Sequence, residues 1–219
     1  MSLQLNPAPV TFKDFYGRNV DQMPKLIEDN RTPLSVAGLM EARLKYGKKF
    51  RDWMNNHFDT GDGVIYHPNG KIKIVHDSQL IRGLNPRSPL RNGALILEDG
   101  VYESIQGQEF EKSKFEKYTN DSLSAESVKK NPIWQALARG NQSLLNEYTD
   151  FLFFEAKKDF EYDKNMGIYL DSAGDTSKLR AWYVDRLGNW SDAYGRSGLG
   201  YGNGRFVGVS TEGAVETKK

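Results

Sequence analysis

Two short runs rich in Val, Ile and Tyr, the second alternating Lys with Ile, lie on either side of Asn69-Gly70. They extend from Val64 to His67 and from Lys71 to His76. Runs of this composition predict β-strands, and Asn-Gly is the pair favoured in two-residue type I′ turns, because both residues take positive φ. We therefore predict a β-hairpin in which Asn69 and Gly70 alone form the loop.

The predicted register assigns each residue to one face, since side chains alternate along a strand. One face holds Ile65, His67, Ile72, Ile74 and His76, and the other holds Asp62, Val64, Tyr66, Lys73, Val75 and Asp77. His67 and His76 would then lie roughly 13 Å apart, at ~3.3 Å per residue, too far to share a metal ion. Asp62 and Asp77 become cross-strand neighbours, which requires a shared proton, a cation or exposure to solvent.

Apolar residues at intervals of three and four predict helices in the first part of the chain. Thr32-Pro33 has the residue types of an N-cap and a first helical position, which predicts a helix from Pro33 to Tyr46. A second helix is predicted from Phe50 to Phe58, followed by a loop over residues 59–63 (DTGDG). Residues 1–31 combine Pro and Asn with isolated apolar residues and predict an irregular N-terminal arm.

Capping residues predict a block of helices in the middle of the chain. Ser124 is expected to cap a short helix, Asn131-Pro132 to begin the next, and Asn141 to begin the longest, which runs toward Phe160. From Glu109 onward the pattern also favours a helix. The longest helix has more aromatic bulk than one apolar stripe can bury. We favour burial of these rings, with a partner surface as the alternative; they are Phe151, Phe153 and Phe154.

The last third of the chain returns to strand patterns. Strands are predicted at Gly167 to Leu170, Leu179 to Arg186, Trp190 to Tyr194 and Arg205 to Ser210. Asp99-Gly100 predicts a further hairpin, residues 195–205 a flexible glycine-rich loop, and residues 213–219 a frayed tail. The predicted fold is one α+β domain over residues 32–212, in which a mixed or mostly antiparallel sheet of β-hairpins packs against the helical block.

Composition narrows the class of protein. A chain of 219 residues with 38% hydrophobic content can bury one good-sized core. The net charge of +1 gives no electrostatic sign of nucleic-acid binding. The absence of cysteine excludes disulfides and thiolate sites, and is consistent with a cytoplasmic protein. No apolar run approaches ~18 residues and the first residues lack a signal-peptide pattern, so we predict neither a membrane span nor a signal peptide.

The acidic residues near the hairpin are the candidates for catalysis or metal binding. Asp59, Asp62 and Asp77 could supply carboxylate oxygens to Mg²⁺ or Mn²⁺, the ligands that these ions prefer, with His57 assisting. The loop from Arg82 to Asn92 could hold an anion through its three arginines, Arg82, Arg87 and Arg91. This arrangement would suit a metal-dependent hydrolase or a phosphoryl-transfer enzyme.

Aromatic and basic residues alternate near the C-terminus. Trp182, Trp190, Arg196 and Tyr201 are of the types that stack on bases and contact phosphates in single-stranded nucleic-acid binding. Aromatic residues in strands also serve as ordinary cross-strand packing. Acidic residues at positions 185 and 192 dilute the positive charge of this segment.

The sequence favours a binding function over a catalytic one, because apolar and aromatic residues are abundant and no catalytic motif is complete. We predict an intracellular interaction or binding module that self-associates or binds a protein partner. The alternatives are the metal-dependent enzyme and the nucleic-acid-binding protein, so the question of enzymatic activity stays open. No cofactor is predicted beyond the Mg²⁺ or Mn²⁺ of the enzyme hypothesis, and no membrane partner is expected.

Overall fold

The computed structural model describes residues 3–6, 11–111, 113, 119, 122–172, 174–188 and 191–210. Its strands are β1 (Phe12–Tyr16), β2 (Arg31–Pro33), β3 (Phe58–Tyr66), β4 (Lys71–Val75), β5 (Leu90–Arg91), β6 (Ala94–Ile96), β7 (Gln108–Glu111), β8 (Ile168–Tyr169), β9 (Lys178–Val184), β10 (Ala193–Tyr194) and β11 (Arg205–Ser210). Its helices are α1 (Asn19–Glu28), α2 (Val36–Tyr46), α3 (Asp52–Asn55), α4 (Gln79–Arg82), α5 (Val101–Ser104), α6 (Ala125–Lys130), α7 (Pro132–Leu137) and α8 (Gln142–Phe160).

The strands form one mixed sheet whose central order is β1-β11-β3-β9-β10-β8. Most pairs are antiparallel, whereas β11 runs parallel to β3 and β10 parallel to β8. Strand β4 pairs with β3 and with β7, and β6 pairs with β9. The sheet therefore pairs the first strand of the chain, β1, with the last, β11, which lies next to β3.

Each face of the sheet has its own hydrophobic core, because alternate residues of the central strands point to opposite sides. On one face, Val64, Tyr66 and Trp182 pack in a core with residues of α2, α7 and α8. On the other, Ile65 and Leu179 pack with residues of α1, α4 and α5. The fold is thus α+β with helices on both faces, whereas the sequence had predicted only the block from the middle of the chain.

The hairpin between β3 and β4 forms, but the predicted register is wrong by one residue. Tyr66 pairs with Ile72, the His67 N–H donates to the Lys71 carbonyl at 2.9 Å, and only Gly70 of the turn has positive φ, at 85°. A two-residue loop would place Pro68 opposite Lys71, where Pro68 has no N–H to give. The loop therefore contains three residues, and Ile72 and Ile74 lie on the face of Tyr66 rather than that of Ile65.

The second Asn-Gly pair of the chain forms the two-residue turn instead. Asn92 and Gly93 have φ of 50° and 75°, and they connect β5 to β6 with Arg91 paired to Ala94. The hairpin predicted at Asp99-Gly100 does not form, because Gly100 precedes α5. Residues 108–111 form a strand, where a helical pattern was expected from Glu109 onward. Positions 112 and 114–118 of that predicted helix lie outside the described residues.

The N-terminal segment is more regular than predicted. Residues 12–28 form β1 and α1, and β1 pairs with β11 in the central sheet. Thr32-Pro33 lies in β2 and caps no helix. The N-cap of α2 is Ser35, whose hydroxyl accepts a hydrogen bond from the Gly38 N–H at 3.0 Å.

The DTGDG segment is buried strand rather than the predicted loop. The second helix shrinks to α3, and β3 begins at Phe58 with every one of its nine residues buried. An irregularity between Asp59 and Gly63 shifts the register of β3 against β9, as a β-bulge does. As a result, the side chains of Asp59 and Asp62 have different neighbours.

The helical block follows its predicted caps. Ser124, Asn131 and Asn141 each accept a hydrogen bond from a backbone N–H at the start of α6, α7 and α8. The aromatic residues of α8 differ in exposure: Phe151 and Phe153 are half-buried, whereas Phe154 is exposed.

No helix among the residues that the structure describes is long and apolar enough to cross a membrane. The predicted tail at 213–219 lies outside the described residues.

Candidate functional site

A continuous row of paired residues crosses the sheet, one from each of six strands. In order of contact they are Tyr169, Tyr194, Tyr183, Asp59, Phe206 and Phe15. Residues paired in this way point to the same face of a sheet, here the face covered in part by α1. The two phenylalanines and Asp59 are buried, while the three tyrosines are half-exposed.

The three tyrosines, Tyr169, Tyr194 and Tyr183, form a connected aromatic surface that we call the tyrosine row. Tyr169 and Tyr194 stack with ring centroids 4.7 Å apart, and Tyr183 meets Tyr194 edge-on at 5.3 Å. The Arg196 guanidinium lies over Tyr169 at 4.7 Å and over Tyr194 at 5.5 Å. His57 extends the surface by packing on Tyr183 at 5.0 Å.

A cleft of about 300 Å³ opens beside the tyrosine row. Asp59 lines it together with Tyr183, Tyr194, Arg196, Tyr201 and Asn203. Arg196 is exposed, and within the described part of the chain its guanidinium has neither a carboxylate nor a hydrogen-bond partner. The ring contacts therefore position Arg196 while leaving its N–H groups available to a ligand, and a planar guanidinium suits carboxylate or carbonyl oxygens.

Asp59 anchors the loop that forms the far wall of the cleft, residues 195–204. Its carboxylate accepts hydrogen bonds from the Ser197 hydroxyl at 3.1 Å and from the Arg205 N–H at 2.9 Å, so one side chain holds both ends of the loop. Burial raises the pKa of Asp59 above its ordinary value of 3.8, and the hydrogen bonds from Arg205 and Ser197 oppose that shift.

Further contacts make the 195–204 loop a fixed part of the fold rather than the flexible segment that its glycines predicted. The side chain of Leu199 is fully buried, and its N–H donates to the Gly93 carbonyl at 2.8 Å. The Gly17 N–H donates to the Gly204 carbonyl at 2.9 Å, and Arg180 donates to the Ser197 carbonyl at 2.9 Å. The wall of the cleft is therefore shaped before any ligand arrives.

The raised pKa of Asp59 makes stability depend on pH. The folded protein binds the Asp59 proton more tightly than the unfolded chain does, so the contribution of this group falls as pH rises from about 4 through the folded-state pKa. We expect Asp59→Asn to remove this dependence. Urea unfolding of both proteins between pH 4 and 8 measures it, and the wild type should lose stability relative to the variant as pH rises. A difference that stays constant across this range would contradict the assignment.

The cleft and the adjoining tyrosine row bring together residues that the sequence had placed in two separate hypotheses. His57 and Asp59 came from the catalytic candidates, and Arg196 and Tyr201 from the nucleic-acid candidates. His57 lies outside a helix, although a helix was predicted from Phe50 to Phe58: it follows α3, is half-exposed, and places its Nε2 2.9 Å from the Asn203 carbonyl. Tyr201 is exposed at the rim of the cleft.

Asp62 and Asp77 lie close to each other, although the shifted register does not place them directly opposite, and an arginine lies between them. The Arg139 guanidinium contacts Asp62 at 3.4 Å and Asp77 at 2.8 Å. The buried Asp62 also accepts the Val36 N–H at 2.8 Å, at the start of α2, and the Asp77 N–H at 3.0 Å. Arg139 thus provides the cation that the two acids require, and the Asp62 carboxylate holds α2 against β3.

The metal hypothesis finds no support in this arrangement. Asp59 turns toward Ser197 and Arg205, whereas Asp62 turns toward Arg139. Among the described residues there is no group of three or more His, Asp and Glu side chains that could hold a metal ion. A site for Mg²⁺ or Mn²⁺ at Asp59, Asp62 and Asp77 stays an untested prediction.

Of the remaining candidates, those within the described residues do not line the cleft. Trp182 is fully buried, so its ring cannot stack on a base, and Trp190 lies outside the described residues. The three arginines proposed to bind an anion have different surroundings: Arg82 is half-buried in α4, Arg87 is exposed, and Arg91 pairs with Asp175.

Sequence reasoning missed two parts of the site. Tyr169 was assigned to a strand without a role, and Ser197 to a flexible loop. Strand alternation carried a usable signal for the tyrosine row, because Tyr183 lies between the apolar Trp182 and Val184 and must point to the opposite face. No local signal shows that Tyr169 and Asp59 belong to the same row, since their pairing depends on the order of the strands.

Comparison with known proteins gives one informative result. No family model and no curated protein matches this chain. A solved structure described as "Accommodation of massive sequence variation in Nanoarchaeota by the C-type lectin fold" is similar to it, with a TM-score of 0.71. The similarity covers 93% of this chain and 100% of that chain at 17% sequence identity. It shows that the chain has this fold, and it confirms the predicted α+β class.

Proposed function

We propose that this protein is a binding module that recognises a polypeptide ligand through the tyrosine row and the adjoining cleft. The observation that carries the proposal is a half-exposed aromatic surface built on adjacent strands beside a loop that is already fixed. Tyrosine and arginine dominate the energetic centres of protein interfaces. A surface that needs no ordering on binding loses little conformational entropy.

The composition of the site supports a protein ligand. Residues 183–204 are rich in Tyr, Gly, Ser, Asn and Arg, the residue types of antibody binding surfaces, in which rigid aromatic side chains combine with adaptable polar ones. Tyr183 and Tyr194 donate hydrogen bonds to Asp185 and Asp192 at 3.2 Å, which fixes their hydroxyls. Arg196 adds a charge that no carboxylate within the described residues neutralises.

The separation of anchoring and exposed residues also supports the proposal. The buried groups Asp59, Arg180 and Leu199 hold the 195–204 loop, whereas Arg196 and Tyr201 project from it. Exposed residues of this kind can change without loss of the fold, because surface substitutions usually alter stability within ±0.5 kcal/mol. The similar solved structure is described as accommodating massive sequence variation, and we extend that property to the exposed residues of this cleft.

Selection from a displayed library of random twelve-residue peptides tests the proposal. We expect peptides that bind the wild type and lose at least about tenfold in affinity with Tyr194→Ala and with Arg196→Ala, a loss of ~1.4 kcal/mol per tenfold. Phe154→Ala is the matched control, because it removes an exposed aromatic ring from α8 and should leave peptide affinity unchanged. Thermal unfolding of each variant establishes that it is folded.

The same proteins distinguish a protein ligand from a nucleic acid. A labelled fifteen-residue oligothymidine is titrated in parallel at 50 and 200 mM salt. Binding that weakens with salt and depends on Arg196, without any selected peptide, would replace the polypeptide proposal with single-stranded nucleic-acid binding. Peptides that bind Tyr194→Ala and Arg196→Ala as well as the wild type would overturn the assignment of the site.

A further inference from the structure

The exposed side of α8 carries aromatic surface that the fold does not cover. Phe154 is 62% exposed, Phe160 45% and Tyr162 38%, and the last two rings stack on each other at 5.9 Å. Half-buried Phe151 and Phe153 lie in the same helix. Exposed aromatic surface of this kind marks sites of association.

A groove of about 600 Å³ lies directly beside Phe154. It is lined by Lys48, Arg51, Phe154, Glu155, Lys158 and Asp159. Arg51 pairs with the buried Glu155 at 2.9 Å and with Asp159 at 2.8 Å. Lys158 lies 3.9 Å from Asp159, and Lys48 is exposed and lies over the Phe151 ring. The two acids of the groove therefore have basic partners, and an apolar ring can enter without leaving either carboxylate unpaired.

The charges along the exposed side of α8 are arranged so that the helix complements itself. The first half presents Glu147 and Asp150, and the second half presents Lys157 and Lys158. Two such helices that cross antiparallel at Phe154 bring Asp150 of one copy near Lys158 of the other, because each lies four residues from Phe154. Asp150 also contacts Lys129 within its own chain at 2.6 Å. Because the Asp150 carboxylate is exposed, it can accept hydrogen bonds from both Lys129 and Lys158 of the other copy.

We propose that a second copy of this chain docks on α8 in a two-fold arrangement, with Phe154 of each copy in the groove of the other. A two-fold interface uses the same patch on both subunits, and here one patch contains both the ring and the groove that receives it. The charge pattern selects an antiparallel second copy over an unrelated apolar partner. One helix face per subunit is a small interface, so the dimer is weak and depends on concentration.

Sedimentation equilibrium from about 5 to 500 µM tests the proposal. The weight-average mass should rise from 24.9 kDa toward twice that value. Phe154→Glu should raise the dissociation constant at least about tenfold. Tyr201→Glu is the matched control, because it replaces an exposed aromatic residue of the cleft by the same charged residue. Its weight-average mass should rise with concentration as that of the wild type does.

A charge exchange tests the antiparallel geometry. Asp150→Lys and Lys158→Glu should each weaken the dimer by facing like charges across the two-fold axis, and the double variant should restore it. A mass of 24.9 kDa at every concentration, or association that survives Phe154→Glu, would overturn the proposal. Association in which the double variant is as weak as the single ones would exclude the two-fold arrangement.

Discussion

Replacement of Arg43 by methionine is expected to lower the free energy of unfolding by about 3–5 kcal/mol. The Arg43 side chain is fully buried and lies at the junction of α2, α3, α8 and the end of β9. Its guanidinium donates to the Trp53 carbonyl at 2.9 Å, the Tyr148 hydroxyl at 2.9 Å and the Asn56 and Asp185 carbonyls at 3.0 and 2.8 Å. Methionine removes all four donors while filling much of the volume.

The size of this loss follows from the acceptors that remain. Each buried acceptor without a partner costs about 1–3 kcal/mol, and the gain from no longer burying a charge offsets only part of that sum. Urea unfolding at pH 7 measures the difference. Arg87→Met is the control, because Arg87 is exposed, and its effect should stay within about 0.5 kcal/mol. An equally small loss of unfolding free energy in the two variants would show that the hydrogen bonds of Arg43 do not stabilise the fold.

The features that the sequence predicts well are those determined within a few residues. Ser124, Asn131 and Asn141 cap their helices by bonding N–H groups two or three residues ahead, so residue type and position suffice. The two-residue turn at Asn92-Gly93 was not predicted, although it obeys an equally local rule. These contacts form whatever the rest of the chain does, which is why capping signals placed three helices of the block correctly.

The register of the β3-β4 hairpin shows how one neighbour can override a local rule. Asn69-Gly70 has the composition of a type I′ turn, but Pro68 lacks the N–H that a two-residue loop requires beside it. Pro68 instead suits the position before Asn69 in a type I turn. The one-residue shift then moves every side chain of β4 to the other face. The predicted faces of Ile72 and Ile74 were wrong for this reason alone.

The candidate site could be predicted only in part, because its parts meet through the order of the strands. Asp59 and Tyr183 are 124 positions apart in the chain and become neighbours only when β3 pairs with β9. The sequence identified Asp59, Arg196 and Tyr201 as unusual, but assigned them to different functions. The buried DTGDG strand also reads as a loop, since its glycines and aspartates are ordinary turn residues.

The second large effect is expected from Arg180→Met, which should lower the free energy of unfolding by about 2–4 kcal/mol and loosen the cleft. Arg180 is nearly buried and donates to Asp171 at 2.7 Å, to the Ser197 carbonyl at 2.9 Å and to the Asn92 carbonyl at 2.8 Å. It therefore connects β9 to the 195–204 loop and to the β5-β6 turn. The expected loss of unfolding free energy is smaller than that for Arg43, because Asp171 stays paired with Lys178, whose Nζ lies 2.9 Å away.

Amide hydrogen exchange separates the effect on the loop from the effect on global stability. The Leu199 N–H bonds the Gly93 carbonyl, and the Val20 N–H bonds the Leu199 carbonyl. Both amides should lose more protection in Arg180→Met than core amides such as that of Ile65, which report global unfolding. Asp171→Asn is the matched control, since it removes the charge partner but leaves the two carbonyl bonds of Arg180 in place. If both variants reduce protection equally, Arg180 acts through its ion pair, and the loop is held by Asp59 and Leu199 instead.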